Sequence, residues 1–343
     1  MIRVGVIGVG AMGRNHCRAY SELAGVELAG VCDANHSTAT AVAKEFGCGA
    51  YASVDELLSQ RLDAVSVAVP TSLHEKVVLQ AISAGVPTLV EKPIAFDEAE
   101  ARRMVKVSCD KRVLLAVGHI ERFNPAVTAA KRLLDEGTMG KLYSLVFRRI
   151  GTLPSRVKDI NVIQDIGVHD IDLAKFFTGR APRAFSVTAG CAVIANRYDY
   201  AQALFDLGSG LSAFIECNWI TPTKLRQFSI VGEKGLLVGD LANQKLDYYP
   251  TIVDRSGGSP KIGQVERKEI TVEKAEPLKL ELQHFVNCVE GRDEPRVPLE
   301  DAVQAIATAN ELTNSLMKRY AFKKALRNLR VPDALTNRLI GQR

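Results

Sequence analysis

Five short runs in the first third of the chain are apolar almost throughout: "IRVGVIG" (2–8), "VELAGVCD" (26–33), "DAVSVAV" (63–69), "VPTLVE" (86–91) and "RVLLAVG" (112–118). Strands covered on both faces read this way, without the alternation of a half-exposed sheet. Between them lie stretches with helical spacing, at 11–23 and about 36–46, 73–84 and 97–110. Strands alternating with helices predict a doubly wound α/β domain, a parallel sheet with right-handed crossovers. From residue 123 the texture changes. Asn124 followed by Pro125 predicts a helix start. Alternating runs then recur at about 141–150, 183–194, 199–207, 211–219, 226–232, 235–240 and 244–249. Turn residues such as Gly208-Ser209-Gly210 and Glu233-Lys234-Gly235 separate several of them. They predict an open, mainly antiparallel sheet. Residues 254–264 read as a mobile loop, and 276–290 and 299–318 as closing helices. The organisation is therefore an α/β domain over 1–122, an α+β domain with a large open sheet over 123–318, and a basic helix or tail over 319–343.

Composition adds mostly exclusions. The apolar runs are too short for a membrane span, and "MIRVGVIG" enters a strand at once, unlike a signal peptide, so a cytoplasmic address is expected. The 7 cysteines form no CxxC pair and no metal-ligand spacing, which predicts reduced thiols and no metal. The net charge of +5 is concentrated at the C-terminus: residues 318–343 carry eight Lys/Arg against Asp333 alone. The rest is near neutral, so the basic segment reads as a solvated or subunit-contact surface, and no nucleic-acid partner is expected.

Chemistry first enters at the turn after the first run. Gly8, Gly10 and Gly13 form G-x-G-x-x-G where a strand meets a helix. The first glycine allows the tight turn, the second lets a pyrophosphate approach the backbone, and the third lets the helix pack on the strand. Backbone N–H groups at Ala11 and Met12 face the same phosphates. Asp33, closing the second run, suits the two ribose hydroxyls and repels a 2′-phosphate, favouring NAD over NADP. This is the fingerprint of a Rossmann domain. Other residues at the same sheet edge are Thr71 and His74, and Glu91-Lys92-Pro93 after the fourth run. Ser72 and Glu75 read as a capping box.

In "QDIGVHDID" (164–172), a continuous helix over 163–178 places Ile163, Ile166, Leu173, Ala174 and Phe177 on a packing face. Asp165, His169 and Asp172 share the opposite side. Asp170 projects among the apolar residues and needs a buried partner. Gly167 weakens the helix by roughly 1 kcal/mol and marks a close approach. An aspartate one turn from a histidine can orient the imidazole for proton transfer.

Taken in order, Gly8-x-Gly-x-x-Gly13, Asp33, Glu91-Lys92-Pro93 and Asp165-x-x-x-His169 resemble the glucose–fructose oxidoreductase / inositol dehydrogenase family over residues 2–318. The resemblance implies an NAD-dependent dehydrogenase in which Lys92 hydrogen-bonds the reacting hydroxyl, His169 is the acid/base and Asp165 assists it. Thr71, His74, Glu91 and Lys92 would line the cofactor crevice, and the open sheet would make a homodimer or homotetramer. "GHIERFNPAV" (118–127) and residues 148–173 resemble the family's archaeal UDP-N-acetylglucosamine 3-dehydrogenases. That finer likeness implies oxidation of the sugar C3 hydroxyl, with Arg148, Arg149, Arg156 and Lys158 offered to a diphosphate and Asn124 and Asp172 to the sugar. A free-sugar or inositol dehydrogenase has no need of that clamp. A non-catalytic NAD-binding sensor would not need Lys92, Asp165 and His169 together.

Overall fold

The computed structural model describes residues 1–154, 159–254, 259, 261–263 and 266–328. Its first sheet contains β1 (Ile2–Ile7), β2 (Val26–Cys32), β3 (Gly49–Tyr51), β4 (Ala64–Val67), β5 (Thr88–Glu91) and β6 (Leu115–Gly118), all parallel, in the order β3-β2-β1-β4-β5-β6. The order reverses between β1 and β4, which opens the ligand crevice of such sheets at their carboxyl ends. Successive residues point to opposite faces, so Val65 and Val67 of β4 join one apolar cluster and Ala64 the other. Helices α1 (Ala11–Ser21) and α2 (His36–Phe46) cover one face. Helices α3 (Val54–Leu58), α4 (His74–Ser83) and α5 (Glu98–Lys111) cover the other.

Helix α6 (Pro125–Asp135) opens the second part, with the Asn124 side chain accepting from the Ala126 N–H. The second sheet contains β7 (Leu142–Thr152), β8 (Ala184–Gly190), β9 (Tyr200–Gly208), β10 (Leu211–Asn218), β11 (Ile220–Gly232), β12 (Gly235–Asp240) and β13 (Lys245–Pro250). A ribbon of β14 (Val253–Asp254) and β15 (Lys261–Ile262) follows, and β16 (Lys268–Ile270) completes the sheet in the order β16-β13-β12-β11-β7-β10-β9-β8. Every pair is antiparallel except β7 with β10. Leu145, Phe147, Phe205, Ile215, Phe228 and Ile230 turn inward under α7 (Val168–Thr178) and the long α9 (Leu299–Asn328). Leu204, Val231 and Tyr249 stand exposed on the outer face. Helix α8 (Pro277–Val289) returns to the first sheet: Leu278, Leu282, Phe285 and Val286 pack with Cys17, Tyr20 and Leu89, while Arg18 and Glu22 of α1 pair with Glu276 and Lys279.

Several local expectations are corrected. The short edge elements β3, α3 and β16 were not predicted, because three to five residues carry too little pattern. Within the segment read as a loop at 254–264, Asp254 belongs to β14 and Lys261–Ile262 form β15, and α9 continues through residue 328. The capping box does not form. A 3₁₀ turn over Thr71–Leu73 precedes α4, the cap position is Leu73, and Glu75 is held by Arg103 at 2.5 Å. All seven cysteines are free thiols. Among the described residues, no helix is long and apolar enough to cross a membrane.

Candidate active site

Gly8 and Gly13 make the tight strand-to-helix turn that their spacing predicts. Gly8 has φ +85°, and a Cβ there would stand 2.7 Å from the Val69 nitrogen; one on Gly13 would stand 1.8 Å from the Gly8 carbonyl oxygen. Gly10 has nothing within 4 Å of a notional Cβ and is exposed, leaving the first turn of α1 open to a ligand. No side chain caps that turn and no acid lies in it. A crevice of about 490 Å³ between the N-terminal turns of α1 and α2 is lined by Val9, Gly10, Ala11, Arg14, Ser37 and Thr38. Asp33 is fixed at its edge, accepting from the Val9 N–H at 2.8 Å and the Asn35 N–H at 2.9 Å. Each carboxylate oxygen keeps a lone pair for a ribose hydroxyl. Open N–H donors, a glycine cradle and an oriented acid fit a dinucleotide.

Thr71 lies buried at this edge. His74 and Glu91 do not face the crevice. His74 directs Nδ1 at the Pro93 carbonyl (2.9 Å) and Nε2 at the Val69 carbonyl (3.0 Å), bracing the turn that carries Lys92, and burial lowers its pKa. Glu91 accepts from the Lys92 N–H at 3.2 Å and pairs with His16 of α1 at 2.9 Å. Burial raises its pKa, but His16 and Lys92 outweigh burial and hold it low. Both residues position the Lys92 turn from behind.

Lys92, Asp165 and His169 come together across the junction of the two sheets. Lys92 donates from Nζ to the Asp165 carbonyl (2.7 Å) and to its Oδ1 (2.9 Å), both side chains being nearly buried. The expected Asp165–imidazole pairing is thereby redirected, because the helix over 163–178, though unbroken, is not α throughout. Residues Ile163–Gly167 form a π-type turn before α7, and the extra residue shifts the phase. His169 Nδ1 is buried with no hydrogen-bond partner. Burial, then the charges of Lys92, Arg149 and Arg226, hold its pKa well below the ordinary histidine value. The imidazole is neutral at pH 7 and able to accept a proton. A Cβ on Gly167 would meet Cys217 Sγ at 3.4 Å, an ordinary contact, so packing against β10 does not by itself require a glycine here.

The supposed polar stripe is internal: Asp165 and Asp172 are each 1% exposed and His169 8%, and Asp170 is buried with them. Asp172 is held by Arg122 at 2.6 Å, which also reaches Asp301. Asp170 finds its partner in Arg149, whose Nη2 is 2.8 Å away, while Arg149 Nη1 holds Glu121 at 2.6 Å. Arg149 is thus a scaffold cation and not a free phosphate ligand. Arg148 points to the other face, as adjacent strand residues must, and pairs there with Glu216 at 2.7 Å. Asn124 is spent on its cap, Glu121 and the Leu241 carbonyl. Arg156 and Lys158 lie outside the described residues.

Besides His16, Glu121 and Arg122, three more residues at this site were not anticipated. Arg226 is partly exposed and its Nη1 stands 3.7 Å from Glu121. Its parity with Phe228 and Ile230 would have turned it inward from sequence alone. Lys224 shares that parity. Glu281 of α8 is 2% exposed, and neither carboxylate oxygen has a hydrogen-bond partner. Burial, with repulsion from Glu91, raises its pKa well above the carboxylate range. Among the described residues, no group of His, Cys, Asp and Glu is arranged to hold a metal ion.

A Rossmann crevice facing a lysine–aspartate–histidine cluster under a second, open sheet defines an NAD-binding dehydrogenase. Family comparison gives the same class: residues 2–119 match the oxidoreductase family with NAD-binding Rossmann fold, and residues 127–238 match the GFO/IDH/MocA C-terminal domain. The chain belongs to this family. It is 34% identical over 289 residues to the UDP-N-acetylglucosamine 3-dehydrogenase of Acidithiobacillus ferrooxidans, covering 84% of this chain and 88% of that protein. The inositol 2-dehydrogenase of Rhizobium meliloti is 26% identical over 331 residues, covering 93% and 98%. A solved structure of the Acidithiobacillus enzyme superposes with a TM-score of 0.80 at 31% identity, covering 91% of this chain and 96% of that one. Levoglucosan dehydrogenase in complex with NADH and levoglucosan shares the fold at TM-score 0.81 and 19% identity, covering 92% and 97%.

Proposed function

We propose that this chain oxidises a secondary hydroxyl of a nucleotide sugar with NAD, and that the substrate is UDP-N-acetylglucosamine reacting at C3. The observation that carries the chemistry is the convergence of Lys92, Asp165 and His169 at the crevice edge. NAD, when bound, supplies the hydride acceptor. Gly8, Gly10 and Gly13, with the N–H groups of Ala11 and Met12, would hold its pyrophosphate, and Asp33 its ribose. Asp165 takes two donor directions of the Lys92 ammonium, leaving the third for the substrate hydroxyl. That hydrogen bond polarises the O–H and fixes its place. His169, held neutral, receives the hydroxyl proton, so the alcohol becomes a ketone without a bare alkoxide.

Likeness to the Acidithiobacillus enzyme supports the nucleotide sugar, and the longer alignment to the inositol dehydrogenase supports the second reading, a free polyol. The chain would work in the cytoplasm as a homodimer or homotetramer, with the exposed Leu204, Val231 and Tyr249 at the contact. NADH formation, followed by its near-ultraviolet absorbance, tests the substrate among UDP-N-acetylglucosamine, free N-acetylglucosamine and myo-inositol. Turnover of the UDP-sugar is expected. Turnover of the uncharged compounds alone would refute the nucleotide-sugar assignment while keeping the catalytic group. Silence with all three, while NAD binds, would indicate a sensor.

A further inference from the structure

With Arg148 on the outer face and Arg149 buried, an anionic substrate needs other cations, and β11 supplies them. Arg226 pairs across the sheet with Arg149 and shares its inward face. Just before it the register slips: Ile220 lies opposite Thr152 and Leu225 opposite Ile150, so residues 221–224 bulge against Gly151 alone. The bulge folds Lys224 over Gly151, where a Cβ would already be 3.9 Å from Lys224 Cα and Cγ. Lys224 is exposed and makes no ion pair among the described residues.

The charges do not balance. Arg149, Lys224 and Arg226 face Glu121 and Asp170, with Asp165 beyond them; Asp170 is taken up by Arg149 and Asp165 by Lys92. Glu121 Oε1 is already 2.6 Å from Arg149 when Arg226 reaches for the same oxygen at 3.7 Å. The result is two partly solvated cations at the rim, side by side, on the face that carries His169. The Arg226 guanidinium accordingly pushes the Lys224 ammonium below its ordinary value. Like charges held together by a backbone bulge are unfavourable in the free protein and are relieved by an anion between them.

We propose that Arg226 and Lys224 form the subsite for the anionic group of the substrate, and that their hold on a diphosphate selects which sugar hydroxyl reaches Lys92 and His169. This inference rests on the nucleotide-sugar reading above. It assigns the diphosphate to the β11 bulge in place of the cations at 148 and 149.

The test is calorimetric titration of UDP and of uridine into the full-length, NAD-saturated protein, together with KM for UDP-N-acetylglucosamine. Wild type should bind UDP at least about tenfold more tightly than uridine. Arg226→Gln and Lys224→Gln should each weaken UDP binding and raise KM by about tenfold, one charge-assisted contact apiece. Arg226→Lys should recover part of the loss. NAD affinity should not move, which reports folding independently of turnover. Arg148→Gln, on the outer face, should bind UDP as wild type does. If wild type oxidises the UDP-sugar and both β11 variants bind UDP normally, the subsite is refuted alone. If wild type neither binds UDP nor oxidises its sugar, the nucleotide-sugar reading fails and the subsite with it.

Discussion

Arg149→Met separates a scaffold cation from a substrate ligand. Methionine keeps an apolar stem of similar length and removes a guanidinium that holds Glu121 at 2.6 Å and Asp170 at 2.8 Å. Both carboxylates are buried and would lose their main counter-charge. Breaking a buried ion pair from one side costs about 3–5 kcal/mol. Two features favour the lower end. Arg226 remains 3.7 Å from Glu121, and burial already raises the Asp170 pKa, so that acid can take up a proton. A loss of about 3 kcal/mol, at roughly 3 °C per kcal/mol, lowers the thermal midpoint by roughly 10 °C. The deficit also has a sign with pH. In the variant, the folded state binds protons on these acids that the unfolded state releases, so its stability falls relative to wild type as pH rises. Circular-dichroism melts at about pH 5 and about pH 8 should therefore show the larger gap at the higher pH. A variant that melts within about 2 °C of wild type at both values, yet shows a KM raised about tenfold, would refute the scaffold role.

Glu281→Gln should stabilise the protein increasingly as pH rises above the ordinary carboxylate range. The folded wild type retains a proton on its buried acid that the unfolded chain gives up, which weakens it by up to about 1.4 kcal/mol per pH unit. Equal pH dependence of the two melting curves would show that Glu281 is ionised in the fold. For His169, whose pKa is held low, the acid limb of kcat/KM should fall below the usual imidazole range near 6.5. His169→Ala should cut kcat by roughly 10²–10⁴ and remove that limb while NAD still binds. A retained limb would place the base elsewhere.

The cofactor half was legible because its signals are local. A doubly covered parallel sheet writes itself as apolar runs, the glycines lie within one turn, and Asp33 ends its own strand. Lys92 and His169 could be picked out by type and position. Their partners could not, because Lys92 meets Asp165 73 residues away and the inserted π-type turn changes which way Asp165 faces. Arg148 and Arg149 looked equivalent as a pair of cations. The parity of Leu145 and Phe147 already divided them, and the same alternation pointed Arg226 inward from Phe228. Glu281 gave no warning, since an acid in the amphipathic stretch 277–289 reads as solvent-facing until α1 is known to cover it.

The return of α8 to the first sheet ties the chain's last quarter to its beginning. As the chain is synthesised, the dinucleotide half waits with Tyr20 and Leu89 uncovered until residue 286 has emerged. The second sheet waits as well, because β7 lies between β10 and β11, strands that come later in the chain. Neither half can finish before the other is available, so contacts of long sequence separation govern assembly. Cutting the chain after residue 122 would not release a working cofactor domain. It would expose the apolar bed of α8 and strip Arg18 and Glu22 of their partners. By mass action, NAD held at the glycine turn would stabilise the distant open sheet as well, since the folded state it binds includes both.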